Sequence, residues 1–136
     1  MNRRESARLD VVTGPDTLEA IHSTLDCFWA AHPEVPDEVR MCVSLAVAEI
    51  GTNIVKYAGA GRPVRMGMQL LCRSDAVEVS FLDDGSPFGL DLDSLGMPDV
   101  LAESGRGLPL ARSVLSRLTY GRDDAGNHWL LLSRPF

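Results

Sequence analysis

The sequence predicts an α/β two-layer sandwich: a mostly antiparallel, mixed sheet with about three helices on one face. Three observations carry this prediction. Leu18, Ile21, Leu25 and Phe28 recur at helical spacing, and a second long apolar segment holds Val43, Leu45, Ala46, Val47, Ile50 and Ile54. Farther on, Val77, Val79 and Phe81 alternate with Glu78 and Ser80, the period of a half-buried strand. The elements follow the order strand, helix, helix, hairpin, loop, helix, hairpin, in one chain of 136 residues without repeat or linker. That length is typical of a single domain, so residues 1–136 are expected to form one unit.

Each element has local signals. Leu9 to Val12 reads as a first strand, ended by Gly14-Pro15. A helix is expected from Thr17 to His32, where Pro33 stops it. Pro36 opens a second helix, with Asp37 and Glu38 favourably placed beside the dipole, and this helix is expected to reach Tyr57 before Gly59 and Gly61. Val64 to Leu71 and Ala76 to Leu82 form a strand pair joined at Arg73-Ser74-Asp75. A stretch rich in Gly, Pro and Asp runs from Asp83 to about Pro98, and a third helix is expected over Leu108 to Leu118. Leu118 to Arg122 and Asn127 to Ser133 make a closing hairpin that turns at Asp124-Ala125-Gly126.

Composition narrows the function classes. Apolar residues make up 45%, enough for a sizeable core, and the net charge is −6. An acidic chain without a basic patch argues against nucleic acid and against an anionic membrane surface. No stretch approaches the roughly 20 apolar residues of a membrane span, and the charged start Met1-Asn2-Arg3-Arg4 is not a signal peptide. Cys27, Cys42 and Cys72 lie in apolar contexts with no Cys/His cluster that suggests zinc, so buried free thiols in a reducing cytoplasm are expected. His22, His32 and His128 read as surface residues rather than ligands.

Three motifs carry chemistry. In Glu49-Ile50-Gly51-Thr52-Asn53, a carboxylate and a carboxamide stand at i and i+4 and share a helix face. A carboxylate in so apolar a helix costs free energy unless something compensates it. The second motif, Asp83-Asp84-Gly85-Ser86-Pro87-Phe88-Gly89, falls where the alternating strand ends. A carboxylate there can accept a hydrogen bond from an exocyclic amino group, the group that distinguishes adenine from guanine. The third, Ser104-Gly105-Arg106-Gly107-Leu108, leads two glycines into a helix, where the backbone can approach a phosphate and free N–H groups await it. It is neither the dinucleotide fingerprint nor a Walker A loop, since the third glycine and the Gly-Lys-Ser/Thr are missing.

In this order and spacing the three motifs resemble the N, G1 and G2 boxes of the GHKL ATPase superfamily, and most closely those of anti-sigma factor serine/threonine kinases of the RsbW/SpoIIAB type. The resemblance covers nearly the whole chain and implies the Bergerat ATPase fold. It implies that Glu49 is the general base and that Asn53 ligates Mg²⁺ within an ATP/ADP site. It makes Asp83 and Gly85 the adenine-binding box, with Gly89 standing in for a glycine the family often has where this chain has Pro87. It makes Gly105, Gly107 and Leu108 the phosphate-binding box. Lys56 and Arg106 are candidate phosphate contacts, or solvated surface cations. Tyr57 replaces a histidine frequent in the family's N box, and the stretch of about 15 residues between Gly89 and Gly105 leaves a short lid.

The resemblance further implies a cytoplasmic protein serine/threonine kinase that works as a partner switch. Its substrate would be a STAS-domain anti-sigma factor antagonist. Its other partner would be a sigma factor or another regulator, with a homodimer as a further candidate assembly. The alternative is a regulatory binding protein gated by nucleotide that transfers no phosphate. Glu49 favours the kinase, because a pure binder needs no base.

Overall fold

The computed structural model describes residues 6–59, 62–87 and 107–136. Strand β1 (Ser6–Val12) leads to helices α1 (Thr17–Ala31) and α2 (Asp37–Asn53). A π-helical turn, Ile54–Ala58, prolongs α2. Strands β2 (Arg65–Cys72) and β3 (Val77–Asp83) follow, then helix α3 (Gly107–Ser113) and strands β4 (Arg117–Asp123) and β5 (Gly126–Leu132). The five strands lie in the order β1-β2-β3-β5-β4. All four pairings are antiparallel, so the parallel contact that a mixed sheet would need does not occur among the described residues.

Alternation decides which face of the sheet is covered. Met66, Met68, Leu70 and Cys72 of β2, Val77, Val79, Phe81 and Asp83 of β3, and Asn127, Trp129 and Leu131 of β5 are all buried. The residues between them point to the other face, where Leu82 and His128 are exposed. The helices supply the opposing core: Ile21, Leu25, Phe28 and Trp29 from α1, and Val39, Val43, Ala46, Val47, Ile50 and Ile54 from α2 and its extension. Gly51 lets α1 and α2 approach, since a Cβ there would stand 2.7 Å from Ile21 Cδ1. The Trp29 indole N–H donates to Ser44 Oγ at 3.1 Å and links the same pair of helices.

The end of the third helix and the settings of the thiols and histidines also differ from the sequence expectation. Helix α3 ends at Ser113 rather than Leu118. The apolar residues Leu108, Ala111, Leu115 and Leu118 are indeed buried. Their helical spacing continues past the helix because Leu118 enters the core from β4, paired with Leu131 of β5. The thiols and histidines also differ. Cys27 is exposed and Cys42 half-buried, leaving only Cys72 buried. His32, expected at the surface, is buried at the end of α1 beneath the Phe28 ring, 4.6 Å between centroids. Burial, and then the neighbouring Glu34 carboxylate, push the Cys72 thiol above its ordinary value.

A close backbone approach lies between the β4–β5 turn and the end of β3. Gly126 has φ +126°, and a Cβ on it would stand 2.0 Å from the Asp83 carbonyl oxygen. Gly126→Ala should therefore lower stability by about 1–3 kcal/mol from backbone strain alone, with the clash adding to it. Gly121, one strand away, has nothing within 4 Å of its Cβ position. Gly121→Ala should stay within about 0.5 kcal/mol of wild type. Urea unfolding of both variants checks the contrast.

Candidate nucleotide site

Asp83 is the last residue of β3 and, at 1% exposure, is buried. Strand alternation puts it there: it is the fourth inward residue after Val77, Val79 and Phe81. Its direct partner across the sheet is Asn127, which the same alternation buries on β5. Asn127 Nδ2 donates to Asp83 Oδ1 at 2.8 Å, and the Gly85 N–H donates to that same oxygen at 2.9 Å. Asp83 Oδ2 is buried and has no partner among the described residues. An orphaned acceptor of this kind costs roughly 1–3 kcal/mol, more when charged, unless a donor reaches it. An exocyclic amino group fits that need.

The Asn127 amide is held in one orientation. Its Oδ1 accepts from Arg122 Nη1 at 2.9 Å and from the Tyr120 hydroxyl. Its Nδ2 also donates to the Ser86 carbonyl at 2.7 Å. Arg122 Nη1 reaches the Gly85 carbonyl as well, at 2.9 Å. One carboxamide thus fixes both the Asp83 carboxyl and the turn that follows it. Sequence reading did not single out Asn127. The signal was present: Asn127 is a polar residue in the inward register of Trp129 and Leu131.

The turn after Asp83 is fastened to the helical layer. The Ser86 N–H donates to the Ala58 carbonyl at 2.5 Å. A Cβ on Gly85 would stand 2.3 Å from that carbonyl oxygen, so only glycine allows the approach. Ala58 ends the π-helical turn that continues the Glu49–Asn53 segment. Such turns are rare and frequent at functional sites. Glu49 and Asn53, one helical turn apart on α2, are both half-buried, so Glu49 does not sit on a fully solvated face. Lys56 and Tyr57 project from the π-helical turn, Tyr57 at 50% exposure.

Gly107 is the first residue of α3, and the Leu108 side chain is buried in the core, leaving its backbone as the part that could face a ligand. Gly89, Gly105 and Arg106 lie outside the described residues. The structure thus joins Asp83 and Gly85 to the end of the helix that carries Glu49 and Asn53, while of Gly105 and Gly107, the glycines expected at the phosphates, Gly107 alone is described. Carboxamide and carboxylate oxygens at Asn53 and Glu49 suit a hard cation such as Mg²⁺, which takes oxygen ligands and retains waters.

Comparison with known proteins gives the family. The model of the histidine kinase-like ATPase domain matches residues 12–132. The chain belongs to that family of GHKL-type ATPase domains. A solved structure with the same fold is the histidine kinase domain of the blue-light activated histidine kinase EL346 from Erythrobacter litoralis. It is 19% identical, with a TM-score of 0.56 over 86% of this chain. This chain spans 60% of that structure's length. No curated protein matches the sequence. No helix among the described residues is long and apolar enough to cross a membrane.

The hydrogen bonds at Asp83 sharpen a test of the adenine contact. Two donors face Oδ1, so in Asp83→Asn the amide oxygen must occupy that place and the NH₂ must replace Oδ2. A ligand amino group would then meet a donor instead of an acceptor. A hydrogen bond to a charged group contributes roughly 1.5–3 kcal/mol, so ATP affinity should fall about ten- to over a hundredfold. Calorimetric titration checks this. Unchanged affinity would remove Asp83 from the site.

Proposed function

We propose that this chain is an ATP- and Mg²⁺-dependent protein serine/threonine kinase. Its substrate would be a serine or threonine on a STAS-domain antagonist. A sigma factor, or another regulator in a variant cascade, would be the partner it holds or releases. The observation that carries the reading is the half-buried Glu49 one turn before Asn53, on the helix whose end is bonded to the Asp83 turn. Family membership supports ATP use, and the N-box likeness to small anti-sigma kinases supports the hydroxyl acceptor.

In this reading Asp83 Oδ2 accepts from the adenine amino group and fixes the nucleotide along α2. The Glu49 carboxylate accepts the proton of the incoming serine hydroxyl. The serine oxygen forms the new bond to the γ-phosphorus as the bond to the β-phosphate oxygen breaks, and ADP leaves. Magnesium, held by Asn53, would neutralise phosphate charge. Phosphoryl transfer asks mainly for positioning, which the clamp on Asp83 provides.

A second reading, a nucleotide-gated binding protein without transfer, is favoured by Tyr57 in place of the histidine frequent in the family's N box. Glu49→Gln separates the two. The amide keeps the size of the side chain and removes the base, while Asp83 and Asn53 remain. ATP affinity should change little, and transfer to a STAS partner should slow by about 10²–10⁴-fold. The measurement is single-turnover transfer from labelled ATP to STAS proteins of the same genome. A wild type that binds such a partner in a nucleotide-dependent way but never phosphorylates it establishes the binding reading. Equal rates in wild type and variant would show that Glu49 is not the base.

A further inference from the structure

At the end of the sheet away from Asp83, Cys72 meets two residues distant from it in sequence, His32 and Glu34. Cys72 closes β2, six residues beyond Met66, the partner of Asp83. At roughly 3.3 Å per residue this puts it about 20 Å along the strand from the nucleotide site. His32 caps α1, and Glu34 lies in the loop before α2. His32 Nδ1 is 3.1 Å from Glu34 Oε2, and Cys72 Sγ is 3.7 Å from that same oxygen. One ligand atom from each residue lies within 4.8 Å of the others.

These separations match a coordination shell. With Zn–N, Zn–O and Zn–S bonds of about 2.0–2.3 Å, the edges of a tetrahedral site are about 3.3–3.6 Å. Two of the three edges are therefore already close to a metal's requirement. The surroundings hold the ligands in place. His32 packs against Phe28 with the ring planes tilted by 46°, and its carbonyl accepts from the Val35 N–H at 3.2 Å, folding the loop so that Glu34 returns beside it. Arg40 binds the His32 and Val35 carbonyls at 3.2 and 2.9 Å, which fixes the same loop from the α2 side. Glu34 is exposed, with 59% of its side chain accessible, so the site opens to solvent.

We propose that His32, Glu34 and Cys72 form a binding site for one zinc-class divalent cation, with solvent in the fourth position. Sulfur, nitrogen and carboxylate donors suit zinc and its neighbours and not magnesium or calcium, which take oxygen ligands. The magnesium of the nucleotide site therefore does not compete. On binding, the thiol proton leaves to solvent and the thiolate takes its place on the metal. The ion adds a tie between the α1–α2 loop and the end of β2, which core packing of Val35 and the Cys72–Glu34 contact already bring together.

Cobalt(II) titration of the full, untagged chain without nucleotide tests this. The expected result is one cobalt per chain with a near-ultraviolet thiolate-to-cobalt charge-transfer band, bleached by zinc and untouched by excess Mg²⁺. Cys72→Ser should abolish the band, while Cys27→Ser and Cys42→Ser retain it. Glu34→Ala alters an exposed side chain, so it tests the site without burdening the fold. Loss of even an outer-shell partner typically costs 10–100-fold in metal affinity, so this variant should bind cobalt at least tenfold more weakly. No band in the folded wild type, or a band that survives Cys72→Ser, would overturn the proposal. If Cys72→Ser does not fold, Glu34→Ala decides: unchanged cobalt affinity would overturn it equally.

Discussion

The site depends on one buried carboxyl. Asp83 is turned inward by strand alternation, at a depth where a polar group needs partners. Asn127 and the Gly85 N–H satisfy one oxygen and leave the other without a partner among the described residues. The neighbouring backbone is shaped around this. Gly126 must lack a side chain because the Asp83 carbonyl lies against it, and Gly85 must lack one because Ala58 does. An acceptor with no partner among the described residues, set between glycines and a fixed carboxamide, has the form of a socket for a donor. The donor's geometry is set in advance, which limits the ordering cost when ligand binds.

The same socket is coupled to the helical layer at one point. α-Helical geometry ends at Asn53, and the π-helical turn carries the chain to Ala58, whose carbonyl accepts the Ser86 N–H. A carbonyl at a helix end would otherwise look to water or a cap for its partner. Here the partner is the backbone of the Asp83 turn. Displacement of either element must break that bond or move the other. The residues proposed for base recognition and for proton transfer thus share a rigid reference, although they come from different layers.

Periodicity made the frame legible in the sequence. Val77-Val79-Phe81 and the apolar runs of α1 and α2 each report one buried face, and the structure buries all of those residues except Leu18 and Leu45, which are half-buried. Where periodicity serves two element types it misleads: Leu108, Ala111, Leu115 and Leu118 fit a helix, yet the chain changes to a strand before Leu118. The candidate site could be proposed from the sequence only where its residues are near neighbours, as in Glu49–Asn53 and Asp83–Gly85. It was not legible where partners meet through the sheet. Asn127 is 44 residues from Asp83, and Cys72 is 38 from Glu34. Register brings the first pair together, and packing of the α1–α2 loop brings the second. The π-helical turn has no composition signal, since Ile54-Val55-Lys56-Tyr57-Ala58 would suit an α-helix as well.

Helix α2 is the common support of the whole arrangement. It packs against α1 on one side and α3 on the other. With seven residues, α3 is too short to be stable alone, because isolated helices below about 12–15 residues are marginal in water. Its position is therefore set by burial of Leu108 and Ala111, and Gly107 at its start inherits that position. The proposed base and metal ligand lie on α2 itself, the turn after Asp83 is bonded to its π-helical extension, and Gly107, the proposed phosphate contact, begins a helix packed on it. A ligand spanning these three points would bridge elements that already share one helix, so its binding needs little rearrangement of the core.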